Sequence, residues 1–280
     1  MSGFAYYNGK FGKKEDICIP LSDRAIYFGD GIYDAAIGES KKIFLADEHI
    51  ARFLGNAKKL EINHPYTHDD IAALLSECVL RAGYESFFLY FQLSRNADKR
   101  SHSHEDSNGV NLLITVENFT LPAPEKSYSL ITVDDLRYFY CDIKTLNLLP
   151  AVLAAGKASK SGADEAVFHR GGIVTECAHS NISILKDGKL YTHPTNNLIL
   201  PGITRHHLLI ACRALGIEYS EEPYSLSELF SADEVLICST TKLCGRVTEI
   251  DGVRVGGRNK EAANKICDYV YEEFVHFIQS

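Results

Sequence analysis

The sequence predicts a two-domain chain of mixed structure: a small N-terminal α+β domain followed by a larger mixed α/β domain. Three observations carry this. In the first 120 residues, two amphipathic helical stretches precede two strongly strand-like segments, FFLYFQLSR and VNLLITVEN. A proline-bearing stretch of low apolar content, TLPAPEKS, comes next, and beyond it helical and strand patterns alternate. The chain has 280 residues and 45% hydrophobic content, enough for two modest cores. The expected boundaries are 1–120 for the first domain, 121–132 for the linker and 133–280 for the second.

Each element has a local reason. AYYNGKFG reads as a hairpin on an Asn-Gly turn. IPLSDRAIYFGDGIYDAAIG alternates turn signals with short apolar runs. ADEHIARFLGNAKKL places Ile50, Phe53, Leu54 and Leu60 at helical spacing. THDDIAALLSECVLRAG is a helix capped by Thr67 with Asp70 three residues on. NADKRSHSHEDSNG is too polar for a core element and reads as a loop. In the second domain, NLLPAVLAAGKASKSG and ITRHHLLIACRALG are helices, and DEAVFH and DEVLICS are strands. Hairpins turn at Asp187-Gly188 and in EIDGVRVGG. The C-terminal helix puts Ala262, Ile266, Val270, Phe274 and Phe277 on one face.

Charge and cysteine usage exclude several classes. The formal net charge of −8 argues against nucleic acid and anionic membrane surfaces as partners. No apolar run has transmembrane length, and the first 20 residues lack a signal-like apolar core. The eight cysteines are irregularly spaced with no C-x-x-C pair, so neither a disulfide framework nor a zinc site is expected. They read as reduced, mostly buried thiols of a cytoplasmic protein.

Four segments carry candidate chemistry. Lys144, in CDIKTLNLLPAVL, precedes an apolar run; desolvation there favours a neutral, nucleophilic amine. A lysine whose stem packs and whose head reaches water fits the same context. In LPGITRHHLL, Pro201 and Gly202 turn the chain, and Ile203 and Thr204 open a helix whose free N–H groups suit a phosphate. ICSTTK leaves a strand with Ser239, Thr240 and Thr241 expected exposed in a row, a second phosphate nest. Arg52 supplies a guanidinium that a phosphate dianion or bulk water would accept. Glu176, expected in a turn after a strand, has no basic neighbour in sequence and suits a buried cation or ring N–H.

The order D-I-K-T-L-N-L-L, V-T-E-x-x-x-S-N, L-P-G-I-T-R and S-T-T, with R-A-I-Y-F-G-D-G-I-Y-D upstream, resembles the fold-type IV pyridoxal phosphate enzymes from Asp23 to Gly252. The resemblance implies pyridoxal 5'-phosphate held as a Schiff base on Lys144, which would also shuttle the substrate Cα proton. It implies that Glu176 hydrogen-bonds the pyridinium nitrogen. Arg52, Ile203, Thr204, Ser239 and Thr240 would hold the phosphate, and Arg137 would approach the ring's phenolic oxygen. Within the family, Arg100 and His102 match an R-x-H pair that, with Tyr33, resembles the carboxylate trap of D-amino-acid transaminases. The implied reaction is ping-pong transamination of a D-amino acid through pyridoxamine phosphate, with 2-oxoglutarate or pyruvate as acceptor. The alternatives are an L-branched-chain aminotransferase, a 4-amino-4-deoxychorismate lyase and, more remotely, a non-catalytic phosphate-binding protein. A homodimer is implied, with loop 96–108 reaching the neighbouring active site. Three departures from the family pattern bear on side-chain preference: Lys242 and Arg246 add positive charge that would favour acidic substrates, and His179 is bulky.

Overall fold

The computed structural model describes residues 3–96, 99–105 and 107–280. They form two compact units. The first comprises residues up to Thr120 together with Ile143–Asn147 and Phe277–Ser280; the second comprises Leu121–Asp142 and Leu148–His276. Residues 127–132, expected in the linker, belong to a strand of the second unit. The Lys144 segment, expected in the second domain, groups with the first because its backbone pairs there.

The first unit contains β1 (Phe4–Tyr7), β2 (Lys10–Lys13), α1 (Arg24–Phe28), β3 (Gly31–Glu39), β4 (Lys42–Ile43), α2 (Ala46–Lys59), α3 (His68–Ala82), β5 (Ser86–Arg95) and β6 (Val110–Asn118). Its sheet is antiparallel throughout, in the order β2-β1-β6-β5-β3-β4. The β1–β2 hairpin turns on Asn8 and Gly9, both at positive φ, as a two-residue Asn-Gly loop demands. β5 buries alternate residues, Phe87, Leu89, Phe91 and Leu93, against Ile50 and Phe53 of α2 and Ile71 and Leu75 of α3. Thr67 and Asp70 form the expected capping box of α3.

The second unit contains β7 (Ser127–Asp134), α4 (Leu149–Lys160), β8 (Glu165–Arg170), β9 (Ile173–Cys177), β10 (Asn181–Lys186), β11 (Lys189–Thr192), α5 (Ile203–Ala214), β12 (Tyr219–Ser220), α6 (Leu226–Ser231), β13 (Glu234–Ser239), β14 (Leu243–Ile250), β15 (Val253–Arg254) and α7 (Lys260–Gln279). The sheet runs β12-β11-β10-β13-β14-β7-β8-β9 with β15 on β14. It is mixed, with β14, β7 and β8 mutually parallel. The parallel step from β7 to β8 uses α4 as its crossover, and Ala154 and Ala158 pack on Phe168. α7 buries Ala263 rather than Ala262, with Ile266, Cys267, Val270 and Phe274.

Candidate active site

Lys144 lies outside any regular element, yet backbone bonds fix it. Tyr33 N–H donates to the Lys144 carbonyl at 2.9 Å, Leu146 N–H donates to Gly31 O at 3.1 Å, and Thr145 bridges Ile32. Ile143 beside it is buried in the core of the first unit. The segment can lie this close only because residue 31 is glycine: a Cβ there would stand 2.5 Å from Leu93 O and 2.8 Å from Leu146 Cδ1. The half-buried ammonium of Lys144 donates to Tyr33 Oη at 3.2 Å, with Nζ 4.2 Å from the ring centroid. Tyr33 stacks on Tyr90 at 5.3 Å, and the Tyr90 hydroxyl donates to Gln92. Burial raises the Tyr90 pKa, so that phenol stays protonated.

Arg52 is on α2, in the same unit. Its Nε and Nη2 each donate at 2.8 Å to Asp34 of β3, which also faces His49 Nδ1 at 2.8 Å. Burial would raise the Asp34 carboxyl, but Arg52 and His49 outweigh it and hold the group well below the usual carboxylate range. Burial pushes His49 down, and the Arg52 and Lys144 charges add to that.

Arg100 and His102 are exposed and pack on α1. The Arg100 guanidinium lies 5.0 Å from the Phe28 ring centroid and 5.7 Å from that of Tyr27; the His102 ring is 5.3 Å from Phe28. Arg24 holds this stretch by donating to the carbonyls of Ser101, His102 and Ser103. A pocket of about 180 Å³ is lined by Leu21, Ser22, Arg24, Tyr27, Phe28, Lys99 and Arg100. No hydrogen bond joins Arg100 or His102 to Tyr33 among the described residues. Of loop 96–108, residues 97, 98 and 106 lie outside the described residues.

In the second unit Glu176 sits within β9, not in a turn, and is buried. Its Oε2 accepts from Asn181 Nδ2 at 3.1 Å and Leu200 N–H at 3.0 Å; its Oε1 accepts from Arg137. Arg137 forks onto Asp135 with Nε and Nη2, both at 2.9 Å, and lies over Phe168. Burial opposes the Arg137 charge, but Asp135 and Glu176 raise its pKa above the ordinary value. The Arg137 contact is a charge-assisted pair with the Glu176 carboxylate.

Ile203 and Thr204 open α5 and are buried, and Gly202 precedes them with no side chain to cap the helix. A Cβ on Gly202 would collide with Asn181 Oδ1. Ser239 ends β13 and turns with Thr240 and Thr241 toward Lys242. These three are half-buried rather than exposed, because β13 is an inner strand. The Ser239 hydroxyl oxygen is buried with no partner among the described residues.

The expectation of free charge at Lys242 and Arg246 is corrected. Lys242 Nζ lies 3.0 Å from Glu165 Oε2 and 2.8 Å from His179 Nε2, and Arg246 donates to Glu234. Both carboxylates are fully buried, so each cation offsets an anion instead of adding net charge. The sequence does not single out Asp34, Asp135 or Glu165. Asp34 stands inside the G-D-G-I-Y-D motif; no sequence signal marks the other two.

The profile of the amino-transferase class IV family matches residues 31–250. The D-alanine aminotransferase of Listeria monocytogenes serotype 4b (strain F2365) is 38% identical over 274 residues, covering 96% of this chain and 95% of the relative. A D-alanine aminotransferase of Staphylococcus epidermidis is 38% identical over 278 residues, 98% of each chain. Among solved structures, a T.th. branched-chain amino acid aminotransferase with pyridoxamine 5'-phosphate superposes with a TM-score of 0.89, at 24% identity, covering 97% of this chain and 94% of that one. The branched-chain aminotransferase of Thermoproteus uzoniensis gives 0.88 at 23% identity, covering 100% and 98%. At that identity the two structures speak for the fold alone. The chain belongs to the class IV aminotransferase family.

Proposed function

We propose that this protein is a pyridoxal 5'-phosphate-dependent D-amino-acid aminotransferase that passes the amino group to a 2-oxo acid, 2-oxoglutarate or pyruvate, by a ping-pong route. The observation that carries the reading is the Lys144 ammonium at 3.2 Å from the Tyr33 hydroxyl, in a chain 38% identical nearly end to end to proteins named D-alanine aminotransferase.

The residues present fit the cofactor. The Ser239 hydroxyl, buried without a partner among the described residues, and the start of α5, which has no side-chain cap, offer donors that suit an anion. The buried Glu176 carboxylate, paired with Arg137, suits a protonated ring nitrogen. When bound, pyridoxal phosphate supplies a carbonyl that captures an amine and a ring that takes up the electron pair released from the substrate Cα. Lys144 would hold the cofactor through Nζ and, with substrate bound, would carry the Cα proton at that atom. The Tyr33 hydroxyl accepts from Nζ and so keeps that amine oriented. Arg52 of the first unit and Ile203, Thr204, Ser239 and Thr240 of the second are the residues that would hold the phosphate. Arg137 sits against Glu176 and Asp135, which favours a role in holding the Glu176 carboxylate in place over contact with the phenolic oxygen.

Arg100, His102 and Tyr33 are read as the α-carboxylate recognition set, with loop 96–108 serving the neighbouring subunit of a homodimer. Exposed Leu149, Val152 and Leu153 on α4, and exposed Leu136, Phe139 and Tyr140, support an apolar subunit interface. The free thiols of all eight cysteines support a cytoplasmic location. No helix among the described residues is long and apolar enough to cross a membrane.

The test is a set of half-reactions with D- and L-amino acids, followed through the visible absorption of the lysine-bound cofactor. D-alanine, D-glutamate and D-aspartate are expected to discharge it, and Lys144→Ala to lack the band altogether. Faster discharge by L-leucine or L-valine than by any D-amino acid would overturn the assignment of substrate hand.

A further inference from the structure

Strand β3 presents consecutive residues to opposite faces. Tyr33 goes toward Lys144, and Asp34 goes toward α2. Asp34 is fully buried, and its two oxygens accept from Arg52 Nε and Nη2, from the Ala35 N–H and from the facing His49 Nδ1, all at 2.8 Å. An ionised carboxylate only accepts, so Nδ1 of His49 carries a proton and donates it. His49 and Arg52 are one helical turn apart on α2, so a single carboxylate ties both to the strand that bears Tyr33. A two-oxygen grip on Nε and Nη2 fixes the plane of the guanidinium, which one contact on a flexible stem would not.

We propose that Asp34 is a positioning residue for the phosphate end of the cofactor, acting through Arg52. This rests on the reading of Arg52 as a phosphate ligand. Asp34 touches neither the reacting atoms nor the phosphate; it sets the orientation in which Arg52 meets it. Its charge works the other way, since a carboxylate beside Arg52 weakens the arginine's pull on an anion. Orientation and charge therefore give opposite signs on removal, and the sign identifies the role.

The experiment titrates the full-length chain, freed of cofactor, with pyridoxal 5'-phosphate and separately with pyridoxal, which lacks the phosphate. For Asp34→Asn, affinity for pyridoxal phosphate is expected to fall on the order of tenfold, the scale seen when a residue orienting a direct ligand is lost. Pyridoxal affinity should stay nearly unchanged. Unchanged or tighter binding of pyridoxal phosphate, or an equal loss for both compounds, would overturn the proposal, the equal loss marking a general packing role. Arg52→Ala separates the underlying reading: if it leaves the preference for the phosphorylated compound intact, Arg52 is not a phosphate ligand and the proposal falls with it. Where Asp34→Asn does not fold, Arg52→Lys keeps the charge and loses the fork. It should show the same selective loss, and full retention of pyridoxal phosphate in that variant would overturn the positioning role.

Discussion

At the scale of single residues, the candidate site contains carboxylates that are buried and engaged. Asp34 has its pKa depressed by Arg52 and His49 against its burial. A carboxyl depressed in the folded state contributes stability that is present above the unfolded value, about 3.9, and is lost as pH falls toward the folded value. His49 is also depressed, by burial first, so its contribution is complete above about 6.5 and is lost as acid protonates the unfolded chain. Both signs point the same way. The urea midpoint is expected to fall from pH 7 toward pH 3, and the gap between wild type and Asp34→Asn to narrow below about pH 4. Lys242 makes a sharper case. Lys242→Met would take the ammonium from the fully buried Glu165 carboxylate, leaving it the His179 N–H and the Ser180 hydroxyl, and the expected loss is about 3 kcal/mol by urea denaturation. A loss below about 1 kcal/mol, the value of a surface pair, would show that Glu165 is satisfied without it.

At the scale of elements, two glycines set how closely neighbouring segments approach. Gly31→Ala puts a Cβ against Leu93 O and Leu146, in the contact that lays the Lys144 segment along β3. The expected result is a destabilisation of about 1–3 kcal/mol and a weaker visible band per subunit. Gly202→Ala acts on the other unit, where the new Cβ displaces Asn181 and with it one of the two donors on Glu176 Oε2. Cofactor retention is expected to fall while the far-ultraviolet circular dichroism stays native. Most elements are legible in the sequence because their signals are local. The Asn8-Gly9, Asp187-Gly188 and Asp251-Gly252 turns all adopt positive φ, and the Thr67–Asp70 box caps α3. Glu176 reads as a turn residue after a strand, whereas it lies within β9, which pairs with β8, and is buried. The start of Ser127–Asp134 reads as linker because the prolines just before it dominate that window, yet the segment pairs with β8 and β14.

At the scale of the molecule, the exposed leucines and valine of α4 are the feature a folded monomer explains least. The NLLPAVL run that suggests a dry setting for Lys144 leaves Leu149, Val152 and Leu153 more than half exposed. Sedimentation velocity is expected to give a dimer, and Val152→Glu with Leu153→Glu to give a monomer with reduced turnover of D-alanine. A wild-type chain that sediments as a monomer at assay concentration would rule out the interface and with it the trans role of loop 96–108.

The sequence by itself determined the candidate cofactor lysine, the order of the candidate phosphate-binding segments and the family, because these are short motifs whose residue types follow from their chemistry. Tertiary structure alone decided which charges are free. Lys242 and Arg246 read as surplus cations in the sequence, but buried Glu165 and Glu234 lie against them; Arg52 fits a solvated helix face until Asp34 closes on it. The physical reason is that the energy of a charge depends on neighbours brought close by folding: Glu165 is 77 positions from Lys242 in the chain and 3.0 Å from it in space.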